Sequence, residues 1–465
     1  MPSLSLLDDT LRIVARRYRL PAMDIATSAG QQAGPAIRLA MAIEEARQAR
    51  DRNQIPDDGA RQRFISGLAD LIRAAMHDER GDPAFQAMVL RHRAPNVREY
   101  ASLSAHAEGE RRHIHAAVNA LAHPGKLARL SAGPRRDALA HLHAAAASSS
   151  WPELRVLAER LAIMAETAGD TPLARRVAQL LDSDALRHLE RLDGLESDEV
   201  VLKYRSLWDR QGPRSGSHAA AIQGAASKRR GADVEALVAG ALTKLAQRLD
   251  EAENSSGRYR VVTSLRVPPS IPAEADRAKS EWDAVLLRQD AIIDTVPTWN
   301  LCLLVEAKAS VDAATTDLPR LMRGLRLLSH AERNTLYPCQ TQQGVVHVLG
   351  ASLKRLKDKQ ADLEQVVLYC SDAPGDAAPS RLLSAAARMQ LLSATASLDF
   401  AHALTNGELS DSGNLESVWN QLLESPRWRH VLYQYPMLRQ ARELTVHIDD
   451  LSAAIDDAAG CDMGP

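Results

Sequence analysis

Ser280-Glu-Trp-Asp-Ala-Val-Leu-Leu287 and Leu301-Cys-Leu-Leu-Val-Glu-Ala-Lys308 are the stretches on which the reading of this chain turns. Each is an apolar, strand-like run that carries charge where a buried strand should have none. Successive residues of a strand face opposite sides. Asp283 therefore shares a side with Val285 and Leu287, and Trp282 with Ala284 and Leu286. On the second run, Leu304, Glu306 and Lys308 share a side. Antiparallel pairing of the two brings Asp283 beside Glu306 and Lys308. Two carboxylates and the Ala307 carbonyl then offer oxygen ligands suited to Mg²⁺, with room left for waters and phosphate oxygens. Such a cation lowers the pKa of a bound water and stabilises charge on a phosphate in transition. Lys308 is placed to orient or deprotonate that water and to offset negative charge. A plain cross-strand salt bridge between Asp283 and Lys308 is the alternative. It leaves the matched placement of charge on two apolar strands unexplained.

The flanking sequence supplies a frame for this pair. Ala232–Asp250 has helical apolar spacing, with Val234, Leu237, Val238, Ala241, Leu242, Leu245 and Leu249 on one side. Glu235 lies at the flank of that stripe, where it can look into the sheet edge and hold a second metal or a metal-bound water. Tyr259–Val267 reads as a strand closed by Pro268-Pro269, and Asp290–Asn300 as a long hairpin excursion. Asp317–Ser329 reads as a helix burying Leu318, Leu321, Met322, Leu325 and Leu328. Arg320, Arg323 and Arg326 recur every third residue on its other side, as a row of phosphate contacts would. Gly344–Leu349 and Gln365–Cys370 read as further buried strands.

The order helix, three strands, helix, strand, with Glu235, Asp283 and a Glu306-Ala-Lys308 triplet in sequence, resembles the PD-(D/E)xK phosphodiesterase superfamily. The resemblance spans Gly231 to Asp372 and no more. It implies a restriction-endonuclease-like αβββαβ core. It also implies Glu235, Asp283, Glu306 and Lys308 as catalytic residues, and Mg²⁺ or Mn²⁺ held by Asp283, Glu306, Ala307 and Glu235. Phosphodiester hydrolysis follows, on DNA before RNA, in a defence or repair role, and a homodimer is compatible with it. Trp282 stands where the family often has Pro, and the gap between Asp283 and Glu306 is long.

The rest of the chain frames an α+β protein of three spans. Residues 1–208 read as an all-α helical domain punctuated by Pro and Gly, suited to a protein partner. Residues 209–375 hold the nuclease-like core. Residues 376–465 form a C-terminal helical region, with Asp457–Pro465 as a loose tail. The Gly-, Ser- and Pro-bearing stretch 209–231 reads as a linker or mobile loop. Its Arg214, Lys228, Arg229 and Arg230 are expected to touch phosphates. A net charge of −2 excludes a globally basic nucleic-acid binder, so any such contact must come from local patches. The four cysteines form no CxxC pair, and Cys302 and Cys370 sit in apolar runs. A reducing, cytoplasmic setting is therefore expected, with no signal peptide and no membrane span. Phosphate-binding and nucleophile-elbow glycine motifs are missing. The histidines around His113 and His115 lack metal-ligand spacing and read as surface or packing residues. The six tryptophans are expected in packing roles.

Overall fold

The computed structural model describes residues 5–20, 34–213, 217–272, 276–357, 360–375, 382–407 and 411–461. The chain forms two compact units that do not follow the expected three spans. One unit comprises Met1–Leu71, Ser215–Ala394 and Ser412–Pro465; the other comprises Ile72–Arg214 and Thr395–Asp411. The first seventy residues and most of the C-terminal region thus belong with the sheet, not with the helical part.

The helical unit follows from local rules. Pro83, Pro95, Pro134 and Pro124 each open a helix at its first turn, where the missing N–H costs nothing. Asp82, Asp170 and Asp198 cap helix starts by accepting backbone N–H groups. Between these signals, residues such as Ile114, Leu142, Leu154, Leu161, Val177 and Leu186 meet in one buried cluster.

The other unit is built on a seven-stranded mixed sheet. Its strands are β1 (Tyr259–Arg266), β2 (Glu281–Ile293), β3 (Val296–Ala307), β4 (Leu336–Thr341), β5 (Gly344–Leu349), β6 (Val367–Ser371) and β7 (Thr445–His447). β1, β2 and β3 form an antiparallel meander. The far edge of β3 pairs parallel with β5 near Thr298 and with β6 from Leu304 to Ala307. β4 pairs with β5, and β7 with β6.

Five helices of this unit concern the site or its support: α1 (Ser5–Ile13), α2 (His218–Ala252), α3 (Val311–Ser329), α4 (Gln434–Leu444) and α5 (Ile448–Cys461). On one side of the sheet, Val285, Leu287 and Leu304 pack with Leu318, Leu321, Leu325 and Leu328 of α3 and Leu444 of α4. On the other, Ala284, Leu286, Leu303 and Val305 pack with Val238, Leu242 and Leu245 of α2, Leu7 of α1 and Leu451 of α5. Each fully buried leucine contributes roughly 1.5–3 kcal/mol, so burial on both sides holds the central strands rigidly.

Several expectations change. The stretch 209–231 is not a loop over its described length: α2 begins at His218, capped by Ser217, and runs 35 residues. Ala219, Ala220, Ala221, Ala225 and Ala226 explain this, since Ala is the best helix former and outweighs single glycines. Leu237, assigned to the apolar side of that helix, is 53% exposed. The hairpin excursion is instead a continued ribbon, because β2 and β3 extend to a two-residue turn at Asp294 and Thr295. Both turn residues have positive φ, 49° and 70°, the twist that tight hairpins need. β4 lies outside the expected strands, and β7 interrupts the expected helical C-terminal region, pairing parallel with β6. The tail reading fails through Cys461, because α5 continues that far. Trp282 joins the cluster of Val285 and Leu287 rather than that of Ala284 and Leu286. Of the six tryptophans, Trp208 is 39% exposed and the other five are buried. No helix among the described residues is long and apolar enough to cross a membrane.

Candidate active site at the end of the central strands

β2 and β3 pair as Ala284↔Val305, and one further step sets Asp283 opposite Glu306. The pairing of β1 with β2 skips Asp283: Thr263 faces Ala284 and Leu265 faces Trp282. Ser264, between them, has φ 52°, a left-handed conformation that costs a non-glycine residue about 1 kcal/mol or more. The Asp283 side chain accepts the Ala307 N–H through Oδ2 at 2.9 Å. On the other edge of β3, the Lys308 N–H donates to the Cys370 carbonyl at 2.8 Å, which anchors the strand end on β6.

Glu306 is fully buried. Its Oε2 meets the ammonium of Lys308 at 3.1 Å and that of Lys279 at 2.5 Å. Its Oε1 is buried with no hydrogen-bond partner. Burial pushes the Glu306 carboxyl up to about 7, the Asp283 charge adds to this, and the two lysines pull it back. Lys308 also lies 3.5 Å from Asp317 Oδ2, whose other neighbour is the Tyr369 hydroxyl at 3.2 Å. Burial alone would lower the Lys308 pKa, but Glu306, Asp317 and Asp283 outweigh it and raise the group above its ordinary value. Lys308 is thus held as an ammonium ion. The simple Asp283–Lys308 bridge is not what forms: Lys308 turns to Glu306 and Asp317.

Glu235, on α2, keeps solvent contact yet feels the same cluster. Desolvation raises its pKa first, then the Asp283 charge, while Lys308 and Lys279 act against them. Asp283, Glu306 and Lys308 are therefore brought together at the end of β2 and β3, and Glu235 lies within electrostatic reach of them. Two partners were not foreseen. Lys279 precedes β2 on irregular backbone, and Asp317 sits on α3 one turn before Leu321. A basic residue immediately ahead of an Asp-bearing apolar strand was the only available hint of Lys279.

The basic residues divide. Lys228, Arg229 and Arg230 are exposed on α2. Arg230 reaches Asp372 at 3.3 Å, just beyond β6, and so lies at the sheet end that carries Lys308. Arg320 and Arg326 are exposed on α3, whereas Arg323 Nε donates to the Arg277 carbonyl at 3.0 Å and is committed to the fold. Arg214 lies outside the described residues. Among the described residues no group of three His, Cys, Asp or Glu side chains is arranged to hold a metal ion. The oxygen donors that remain are Asp283 and the unpartnered Glu306 Oε1, a small set of the kind that suits Mg²⁺ with its retained waters. No protein-family model matches this chain, and no curated protein or solved structure does either.

Proposed function

We propose that this protein is a metal-dependent nuclease of the PD-(D/E)xK type, with a restriction-endonuclease-like core between Gly231 and Asp372 and DNA as the first substrate class to test. The observation that carries the reading is the pair Asp283 and Glu306, opposed on adjacent strands with Glu306 Oε1 buried and unpartnered. A buried carboxylate oxygen without a donor is costly unless a ligand completes it. Asp283 and Glu306, with the Ala307 carbonyl and Glu235 in support, would hold Mg²⁺ or Mn²⁺. The cation would supply positive charge against the phosphate oxygens. Lys308, fixed as an ammonium by Glu306 and Asp317, orients the attacking water and offsets charge on the phosphate rather than removing a proton. Lys228, Arg229, Arg230, Arg320 and Arg326 contact the substrate backbone, and the helical unit binds a protein partner or positions substrate.

The test is cleavage of plasmid, linear duplex, single-stranded DNA and RNA with Mg²⁺, Mn²⁺ or EDTA, beside Asp283→Ala and Lys308→Ala. Metal-dependent cleavage lost in both variants supports the reading. No cleavage, with metal binding unchanged in Asp283→Ala, overturns it. A second reading is an inactive nucleic-acid-binding or protein-interaction scaffold on the same fold. The contact of Lys279 with Glu306 favours it, because that ammonium already satisfies one carboxylate oxygen.

A further inference from the structure

We propose that Lys279 is a resident cation of this site: with Lys308 it occupies one oxygen of Glu306, and so leaves room for a single divalent cation on the other. This rests on the metal-dependent reading above and specifies how that site is filled.

Lysine is almost never buried unless it is paired, and Lys279 is 5% exposed. Its ammonium makes the shorter of the two contacts to Glu306 Oε2. It also lies 5.9 Å from the centre of the Trp282 ring, a face that attracts cations. Its backbone N–H donates to the Arg320 carbonyl at 3.2 Å, which ties the segment to α3. The helix makes room for it: a Cβ added at Gly324 would lie 2.8 Å from the Lys279 Cβ. A glycine inside a helix costs about 1 kcal/mol relative to Ala, so this close approach is maintained against local preference.

Sites that use two metals need carboxylate oxygens reaching both ions, about 3.5–4 Å apart. Glu306 cannot serve two metals here. Both ammonium groups converge on Oε2, and Oε1 alone is free. Lys279 thus supplies, as a fixed positive charge against Glu306 Oε2, charge that a second cation would otherwise bring to the site, while Lys308 divides its ammonium between Glu306 and Asp317.

The experiment is calorimetric titration of Mn²⁺ into the metal-free full chain as wild type, Lys279→Met and Asp283→Ala, with cleavage followed at saturating Mn²⁺. The wild type is expected to bind one Mn²⁺ per chain. Lys279→Met is expected to bind it no more weakly, since an opposing charge is gone, yet to cleave at least tenfold more slowly. Two ions per wild-type chain would overturn the proposal, and this needs no variant to fold. So would a Lys279→Met protein that loses Mn²⁺ as Asp283→Ala does, since the lysine would then only frame the ligands. Undiminished cleavage by Lys279→Met would overturn it as well. If no nucleic acid is cleaved, stoichiometry and affinity order decide alone. If the wild type binds no Mn²⁺, or Asp283→Ala binds it equally, the metal-dependent reading itself fails and takes this proposal with it. Stoichiometry and the Lys279→Met result therefore fail separately from that reading.

Discussion

Replacing Asp283 by Asn or by Ala separates what its charge does from what its shape does. Asp283 Oδ2 accepts the Ala307 N–H at 2.9 Å. An Asn side-chain oxygen can accept the same bond, whereas Ala leaves a half-buried amide without a partner, at a cost of about 1–2 kcal/mol. Metal-free Asp283→Ala should therefore unfold at lower urea, by about that free energy. Asp283→Asn should unfold close to the wild-type midpoint. Its lost charge relieves the repulsion that helps raise the pKa of Glu306 and of Glu235 and gives up the attraction to Lys308, two effects of opposite sign. Metal binding should rank the variants differently. A unit charge 4 Å from another contributes about 4 kcal/mol at an effective dielectric constant near 20. Even if desolvation cancels half of that, removing the charge costs about thirtyfold in affinity. Both variants should then lose Mn²⁺ by at least tenfold in calorimetry, although only one loses stability. An Asp283→Asn protein that binds Mn²⁺ within twofold of wild type would refute the assignment of Asp283 as a ligand.

Three further outcomes follow from named contacts. Glu306 has a folded-state pKa above its unfolded value, so between about 4.5 and 7 the metal-free native state holds the extra proton. Stability should fall as pH rises through that window, by roughly 3 kcal/mol at most. Urea unfolding of wild type against Glu306→Gln from pH 5 to 8 should show a steeper fall in the wild type, the raised Glu235 leaving a smaller slope of the same sign in the variant. The Asp294-Thr295 turn, with both residues at positive φ, should gain about 0.5–1 kcal/mol when changed to Asn-Gly, read as a higher unfolding midpoint without loss of Mn²⁺ binding. Replacing Lys228 and Arg229 together by Gln should weaken DNA binding evenly across sequences and reduce the salt dependence by about two units of slope. An unchanged slope in a fluorescence-anisotropy salt series would remove α2 from the interface.

The existence of the two strands and the charges they carry are legible in residue order alone. Both strands are buried on both faces, so alternation does not specify their register, and the meeting of Asp283 with Glu306 follows in the sequence only from assuming antiparallel pairing. α3 is legible because its leucines recur at helical spacing. Lengths and ends were less legible. The start of α2 reads as a loop by its glycines and basic residues, whereas Ser217 and the alanines after it carry the helix signal that the structure follows. The compact units were beyond sequence reading. α1 joins α2 and α5 through long-range burial of Leu7, Leu242 and Leu451, to which local spacing is blind. Lys279 and Asp317 belong to the same category. One sits on irregular backbone and the other on a helix, and neither has a period that points at Glu306. Only the packing of α3 against the sheet, with Gly324 admitting the lysine segment, brings both to the end of β3. A buried charge takes its partners from three-dimensional neighbours, and the tertiary structure alone selects those.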